Sequence, residues 1–247
     1  YGDNPFCPPE KIEEFELIKI IDPDRYAIDA LGKWGIIKPD KPFLHRYNAR
    51  NNETDESIEI NSNLPILLSF DFNIKLSCLV GQVSVYDKYI RMIKEFHDDT
   101  EAMDIFEYIP HIINYFGIHR EYRITGDATA NAGSAWTKGN SSGWGIIFNI
   151  LENMKVNYTP EVPTSNPSHY NTKVICNSLI AMNEDFLISS KDCPITTDDF
   201  KKMELDSAGA YNKALSEKKG YGHMGDCGRY FMHVFCYDLW KEYAVLE

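Results

Sequence analysis

Long hydrophobic runs are absent from this sequence of 247 residues. No stretch comes near the roughly 20 apolar residues that a membrane-spanning helix needs. The start of the chain also lacks the basic and apolar pattern of a secretory signal peptide. We therefore expect a protein that has no membrane partner.

Basic residues are scarce in the chain. It has 25 Lys and Arg against 37 Asp and Glu, which gives a net charge of −12. This balance argues against indiscriminate binding to nucleic acid, because contact with phosphates normally requires a basic surface. It is compatible with a site that handles DNA through bound metal ions, where part of the negative charge would belong to the metal ligands.

Paired cysteines and nucleotide-binding loops are also missing. The six cysteines form no CxxC pair, and several lie in apolar stretches, which is typical of reduced core thiols in a cytosolic protein. No GxxxxGK(S/T) motif occurs, so this chain carries no P-loop of its own. The stretch GYGHMG matches GxGxxG, but no strand pattern precedes it, and flexible entry into the last helix is the better interpretation.

The residue pattern changes at about residue 60. Residues 1–60 contain two short helical patterns and a polar, Asn-rich stretch, which together are typical of an arm or linker. Strand patterns begin soon afterwards. We therefore predict a linker segment at 1–60 and one domain at 61–247.

The domain pattern predicts a mixed sheet. Residues 64–71, 75–83 and 87–96 read as strands separated by short turns, which indicates an antiparallel meander. Helical and strand patterns then alternate as far as a strand at 185–189 and a final helix over roughly 223–242. We predict an α/β fold in which a mixed central sheet, antiparallel and then parallel, is flanked by helices.

Three aspartates lie at the ends of predicted elements. Asp71 interrupts an apolar strand in SFDFN, Asp127 follows a second strand in YRITGDA, and Asp226 lies in the first turn of the final helix in HMGDCGRY. Taken singly, Asp127 also suits a turn and Asp226 a helix N-terminus. If the strands at 64–71 and 121–127 are adjacent and parallel, their two carboxylates emerge at one sheet edge. A helix packed across that edge would bring the third carboxylate within reach.

Three clustered carboxylates repel one another unless a cation compensates their charge. A set of ligands made only of oxygen atoms suits Mg²⁺ or Mn²⁺ rather than zinc. Two such ions would activate a water molecule and stabilise the leaving oxygen when a phosphodiester bond is cleaved. The three aspartates therefore indicate a metal-dependent phosphodiester hydrolase.

The order of these motifs resembles the nuclease domain of the large terminase subunits of tailed bacteriophages, the motors that package viral DNA. The stretches SFDFN, ITGDATANAG and HMGDCGRY carry the resemblance in that order. Residues 4–35 are similar to the segment that links the terminase ATPase to its nuclease, and DCPITTDDFKKMELD (192–206) is similar to the segment before the last helix. The similarity extends over most of residues 4–240.

The resemblance implies an RNase H-like fold and an endonuclease that cuts concatemeric double-stranded viral DNA during genome packaging. Asp71, Asp127 and Asp226 would be its catalytic residues and the ligands of two Mg²⁺ or Mn²⁺ ions. The implied partners are double-stranded DNA, an ATPase domain earlier in the full-length chain, the portal protein and the small terminase subunit. The implied location is the cytoplasm of the bacterial host, at the portal vertex of the procapsid.

Four further residues are candidates for supporting roles. Asn73 shares a strand face with Asp71 and would bond a metal-bound water. His223 would orient a metal ligand without binding the ion itself. Capping of the final helix is an equal alternative for this residue. Arg123 and Lys138 are candidate contacts to DNA phosphates, with a solvated surface role as the alternative for each.

Two alternative functions stay open at this point. One is another RNase H-like nuclease, such as a junction resolvase or a transposase core, which would prefer branched DNA or transposon ends. The other is a catalytically silent module that docks on the viral portal. Such a module would bind the portal specifically without binding divalent ions.

Overall fold

The computed structural model describes residues 6–21, 23–33, 39–72, 76–97, 103–131 and 142–244. Its described strands are β1 (Glu53–Thr54), β2 (Ile66–Phe72), β3 (Leu76–Ser84), β4 (Tyr89–His97), β5 (Glu121–Gly126), β6 (Asn157–Pro160) and β7 (Asp185–Ser189). They form one sheet in the order β1-β7-β4-β3-β2-β5-β6. The pairs β2–β3 and β3–β4 are antiparallel, and the other four pairs are parallel. The predicted mixed sheet, a meander extended by parallel strands, is confirmed.

Helices cover both faces of this sheet. The described helices are α1 (Pro9–Ile21), α2 (Pro23–Asp29), α3 (Ala49–Asn52), α4 (Ile105–Phe116), α5 (Gly143–Asn153), α6 (His169–Met182), α7 (Pro194–Lys202), α8 (Lys213–Lys219), α9 (His223–Phe235) and α10 (Tyr237–Ala244). One face packs against α4 and α5, and the other packs against α6, α7, α9 and α10. Among these described helices, none is long and apolar enough to cross a membrane.

Strand β2 lies in the interior of the sheet and is buried on both faces. Leu68 and Phe70 point into the core beneath α4 and α5. Leu67 points to the opposite face, and Ser69 and Asp71 follow it there because successive strand side chains alternate. The apolar sequence of β2 is therefore that of a central strand, and Asp71 lies on its α9 side.

Helix α9 lies close against the middle of the sheet. The hydroxyl of Ser69 donates to the carbonyl oxygen of Cys227 on α9 at 2.7 Å. A Cβ atom at Gly81 of β3 would lie only 2.7 Å from the ring of Phe231, so a larger residue would push the helix away. Ser69 and Gly81 thus allow α9 to pack closely against the sheet.

The predicted final helix is interrupted. Helix α9 ends at Phe235, and α10 starts at Tyr237 after Cys236, whose φ of −101° and ψ of 7° leave the helical region. Cys236 is buried, and the turn directs both Phe235 and Leu239 into one core. The prediction of a continuous helix over 223–242 was wrong because its apolar pattern does not reveal this turn.

Part of the predicted linker packs into the sheet's own core. Phe43, Leu44 and Tyr47 are buried in the same cluster as α9, and β1 pairs in parallel with β7 at the sheet edge. The division between 1–60 and 61–247 stays a prediction. The packing shows, however, that residues 43–54 contribute to the body of the fold.

Candidate metal-binding site at the strand ends

Asp71 and Asp127 lie at the same level of the sheet. Strands β2 and β5 are adjacent and parallel, and Phe70 is in register with Gly126. Beyond that pair, the backbone amide of Asp127 donates to the carbonyl oxygen of Phe70 at 2.9 Å. The strand arrangement that the sequence predicted for these two carboxylates is therefore confirmed.

Gly126 makes this close approach possible. Its φ of 151° lies in a region that side chains rarely allow, and a Cβ atom would lie 2.1 Å from the carbonyl oxygen of Phe70. Glycine is therefore required before Asp127, because only a residue without a side chain lets the end of β5 approach β2 this closely.

Polar neighbours fix the carboxylate of Asp127. It accepts hydrogen bonds from the amide and hydroxyl of Thr129 at 2.8 and 2.7 Å. The side-chain amide of Asn166 donates to it at 2.7 Å and accepts a hydrogen bond from the amide of Ala128. The indole of Trp144 donates to the Asp127 carbonyl oxygen at 2.8 Å. These donors are all uncharged, so they orient the carboxylate and leave its negative charge in place.

The first turn of α9 lies beside Asp71. His223 opens the helix, and its Nδ1 is 3.2 Å from Oδ2 of Asp71, which is almost completely buried. The hydrogen bond to Asp71 raises the pKa of His223, although burial opposes the shift. The ring of His223 also stacks on that of His97 at the end of β4, with 6.3 Å between centroids. The geometry agrees with the predicted role of His223 in steadying Asp71, which stays a prediction.

Asp226 lies one turn into α9 and has cationic partners. Its Oδ1 is bound by the guanidinium of Arg229, and its Oδ2 lies 3.5 Å from Nζ of Lys213. Arg229 is buried as well, and its Nε donates to the hydroxyl of Thr172 at 3.2 Å. Sequence reasoning missed Arg229, although a basic residue one turn after an acid on an apolar helix is a recognisable signal.

Tyr230 of α9 is buried beside the guanidinium of Arg229. Burial raises the pKa of its hydroxyl above the usual value, and the charges of Asp226, Asp127 and Asp71 raise it further. In the part of the chain that the structure describes, no three His, Cys, Asp or Glu side chains are arranged to ligate a metal ion.

The donor chemistry of this region fits a hard divalent cation. Asp71 and Asp127 offer carboxylate oxygens from adjacent strand ends, which Mg²⁺ and Mn²⁺ prefer. Asp226 shares its carboxylate with Arg229 and Lys213, so it would bind an ion alongside these side chains. An ion would therefore have to compete with protein cations for the third ligand.

Arg123 lies away from the three aspartates. Arg123 of β5 forms an ion pair with Glu161, and its guanidinium is 5.5 Å from the ring of Phe235, at the opposite end of α9 from Asp226. Its contact with DNA stays a prediction. Asn73 and Lys138 lie outside the described residues.

No protein-family model and no curated protein sequence matches the chain. The chain is similar in structure to the large terminase of a thermophilic bacteriophage in complex with ATP-gamma-S, with a TM-score of 0.54 and 14% identity over 94% of this chain. It is also similar to the P22 large terminase nuclease domain, with a TM-score of 0.52 and 10% identity over 76% of this chain and 92% of that domain.

This chain spans about half the length of the thermophilic bacteriophage terminase, since the match covers 54% of that protein. At such low sequence identity the comparisons concern the fold. They identify it as the RNase H-like fold of large terminase nuclease domains, which is the fold that the motif resemblance implies.

Proposed function

We propose that this chain is the nuclease part of a large terminase subunit and that it cleaves concatemeric double-stranded viral DNA during genome packaging. One observation carries the proposal. Asp71 and Asp127 lie at the ends of adjacent parallel strands, beside the turn of α9 that holds Asp226, in a fold shared with large terminase nuclease domains. Two carboxylates at the ends of adjacent parallel strands suit phosphodiester chemistry better than they suit a structural role.

In this proposal Asp71, Asp127 and Asp226 hold two Mg²⁺ or Mn²⁺ ions. When bound, such ions lower the pKa of a water molecule and neutralise charge on the leaving oxygen. The protein's own task is to hold the ligands still. Thr129 and Asn166 orient Asp127, while His223 orients Asp71.

DNA would be presented to this site largely by other parts of the motor. A net charge of −12 leaves little basic surface for an independent grip on phosphates, even with Arg123 and Lys138 as contacts. We propose that an ATPase domain in the same full-length chain, the portal protein and the small terminase subunit position the duplex. The reaction would then take place in the host cytoplasm, at the portal vertex of the procapsid.

The test is the cleavage of supercoiled plasmid DNA with Mn²⁺ or Mg²⁺, together with a titration of Mn²⁺ binding by calorimetry. We expect nicked and linear products that EDTA abolishes, and no products from Asp71→Asn, Asp127→Asn or Asp226→Asn. Asp185→Asn is the matched control, because Asp185 begins β7 at the opposite end of the sheet and should leave cleavage intact.

The outcomes separate the proposal from its alternatives. Unchanged cleavage in the three aspartate variants would overturn the site. Faster cleavage of branched DNA than of linear duplex would favour a junction resolvase. Specific portal binding by a protein that binds no Mn²⁺ would favour the silent docking module.

A further inference from the structure

Helix α9 begins without a capping side chain of its own. Its N-cap is Gly222, with a φ of 106°, and a Cβ atom there would lie 2.6 Å from the hydroxyl oxygen of Tyr211. The Ser, Thr, Asp or Asn that usually caps a helix is therefore excluded at this position. The first amides of α9 need an acceptor from another element.

Asp199 of α7 supplies that acceptor. Its Oδ2 accepts a hydrogen bond from the amide of Gly225, in the first turn of α9, at 2.9 Å. Asp199 is 1% exposed, and burial raises its pKa to about 6. A buried carboxylate is costly, and here its hydrogen bond goes to the turn that carries His223 and Asp226.

Helix α7 is in turn fixed to the sheet by a second carboxylate. Its N-cap, Cys193, makes no side-chain capping bond. Instead Glu95 of β4 accepts hydrogen bonds from the amides of Ile195 and Thr196 at 2.8 and 2.7 Å and from the Thr196 hydroxyl at 2.7 Å. Glu95 thus connects the sheet to α7, and Asp199 connects α7 to α9.

The contact between α7 and α9 leaves no space for adjustment. A Cβ atom at Gly225 would lie 2.7 Å from Sδ of Met203, and one at Gly228 would lie 2.4 Å from the ring of Phe200. Two glycines one turn apart therefore let α9 lie directly on α7 and its C-cap. Any change in the position of α7 would shift the start of α9.

We infer that Asp199 is a positioning residue of the proposed nuclease: through the backbone amide of Gly225, in the first turn of α9, it holds His223 and Asp226 at the ends of β2 and β5. This inference rests on the proposed function. Asp199 acts on the metal ligands through the helix, so its loss should weaken metal binding as well as stability. Loss of groups that orient metal ligands typically lowers metal affinity about 10- to 100-fold.

The test compares Asp199→Ala with two controls. Asp104→Ala removes a cap of the same kind, because Asp104 accepts from the amides of Phe106 and Glu107 at the start of α4 on the other face of the sheet. Asp198→Asn changes the neighbouring acid, which forms a partly exposed pair with Lys202. The measurements are the melting temperature, the Mn²⁺ concentration that gives half-maximal plasmid cleavage, and Mn²⁺ affinity by calorimetry.

We expect both Asp199→Ala and Asp104→Ala to lower the melting temperature. Only Asp199→Ala should raise the half-maximal Mn²⁺ concentration, by about tenfold or more. Asp199→Asn retains an acceptor oxygen for Gly225, so it should recover most of the wild-type Mn²⁺ response. Asp198→Asn should match the wild type. Should the alanine variant fail to fold, Asp199→Leu takes its place, because leucine also removes the acceptor for the Gly225 amide and should raise the half-maximal Mn²⁺ concentration in the same way.

The possible failures are distinguishable. A wild-type protein that neither binds Mn²⁺ nor cleaves would overturn the proposed function and this inference together. A wild type that cleaves, with Mn²⁺ responses of the Asp199 variants no different from that of Asp104→Ala, would overturn the inference alone.

Discussion

Arg229 and Asp226, one turn apart on α9, form an ion pair whose side chains are only 2% and 4% exposed. The guanidinium also lies about 5.6 Å from the rings of Tyr211 and Tyr230. In this pair the guanidinium of Arg229 compensates the charge of Asp226 in the core before any ion binds. Breaking the pair should therefore change the free energy of unfolding measurably.

Removal of Arg229 should leave a buried, poorly compensated carboxylate. We expect Arg229→Met to lower the free energy of unfolding by about 3–5 kcal/mol in the absence of metal, measured by urea denaturation. Lys213, at 3.5 Å and partly exposed, would compensate the charge only in part. Lys241→Met is the control, because its i,i+3 pair with Asp238 is exposed and should contribute almost nothing.

The double variant isolates the charge itself. In the Arg229→Met background, Asp226→Asn removes the unpaired carboxylate, so we expect it to recover part of the lost stability. In the wild-type background the same substitution should destabilise the protein. Additive effects of the two substitutions would show that Asp226 and Arg229 are not energetically coupled.

Gly126→Ala should separate the two strand carboxylates. The new methyl group would meet the carbonyl oxygen of Phe70 at 2.1 Å, so we expect the free energy of unfolding to fall by about 3 kcal/mol and cleavage to be lost. Gly209→Ala provides a control with a φ of +81° and open space around the Cβ position. It should cost about 1–2 kcal/mol and leave cleavage intact. Equal losses of stability in Gly126→Ala and Gly209→Ala, measured by thermal denaturation, would contradict the close contact between Gly126 and Phe70.

Asn166→Ala should reduce cleavage more than stability. Asn166 bridges the amide of Ala128 and the carboxylate of Asp127 near the surface, so its loss frees the carboxylate without opening the core. We expect a roughly 10-fold or greater loss of Mn²⁺-dependent cleavage. Asn153→Ala, which removes an exposed amide on α5, should leave the rate unchanged.

Glu95 should make stability depend on pH. Burial raises its pKa above 4.5 in the folded protein, and the amides of Ile195 and Thr196 oppose the shift. The folded state therefore binds a proton on Glu95 more tightly than the unfolded state does. The stabilisation of the folded state that follows is fully present below pH 4.5 and is lost as the pH rises through the folded-state pKa of Glu95.

The matched variant for this effect is Glu95→Gln, which cannot titrate. The unfolding free energy of the wild type, relative to that of the variant, should therefore decrease as the pH rises above 4.5 in urea titrations. Asp199 is the charged group that raises the pKa of Glu95 further, so Asp199→Asn should weaken the trend. A constant difference across this range would contradict the assignment.

The parts of the fold that sequence predicts well are those with strong local patterns. The strand predicted at 185–189 matches β7, and the apolar run predicted at 64–71 matches β2 within two residues. Asp71 and Asp127 were identifiable because each interrupts or follows such a run. Their placement at one sheet edge then required only that β2 and β5 be parallel.

The elements that sequence reasoning missed are stabilised by distant residues. Helix α7 has a polar sequence, and its cap, Glu95, comes from a strand 100 residues earlier. The Asp199 cap of α9 likewise joins residues 26 positions apart. No periodicity within the segment CPITTDDF reveals these bonds, so the residue that we infer to position the site could be found only in three dimensions.

The route by which the chain enters the sheet has a mechanical consequence. The amide of Phe43 donates to the carbonyl of Met203 at 2.9 Å, and the amide of Leu205 donates to the carbonyl of Lys41 at 2.8 Å. Met203 is the C-cap of α7, so a displacement of the backbone at Lys41 would be transmitted to the helix that carries Asp199. Movement of this segment would thus act on the contacts that support the start of α9, whereas Asp71 and Asp127 are held by the sheet.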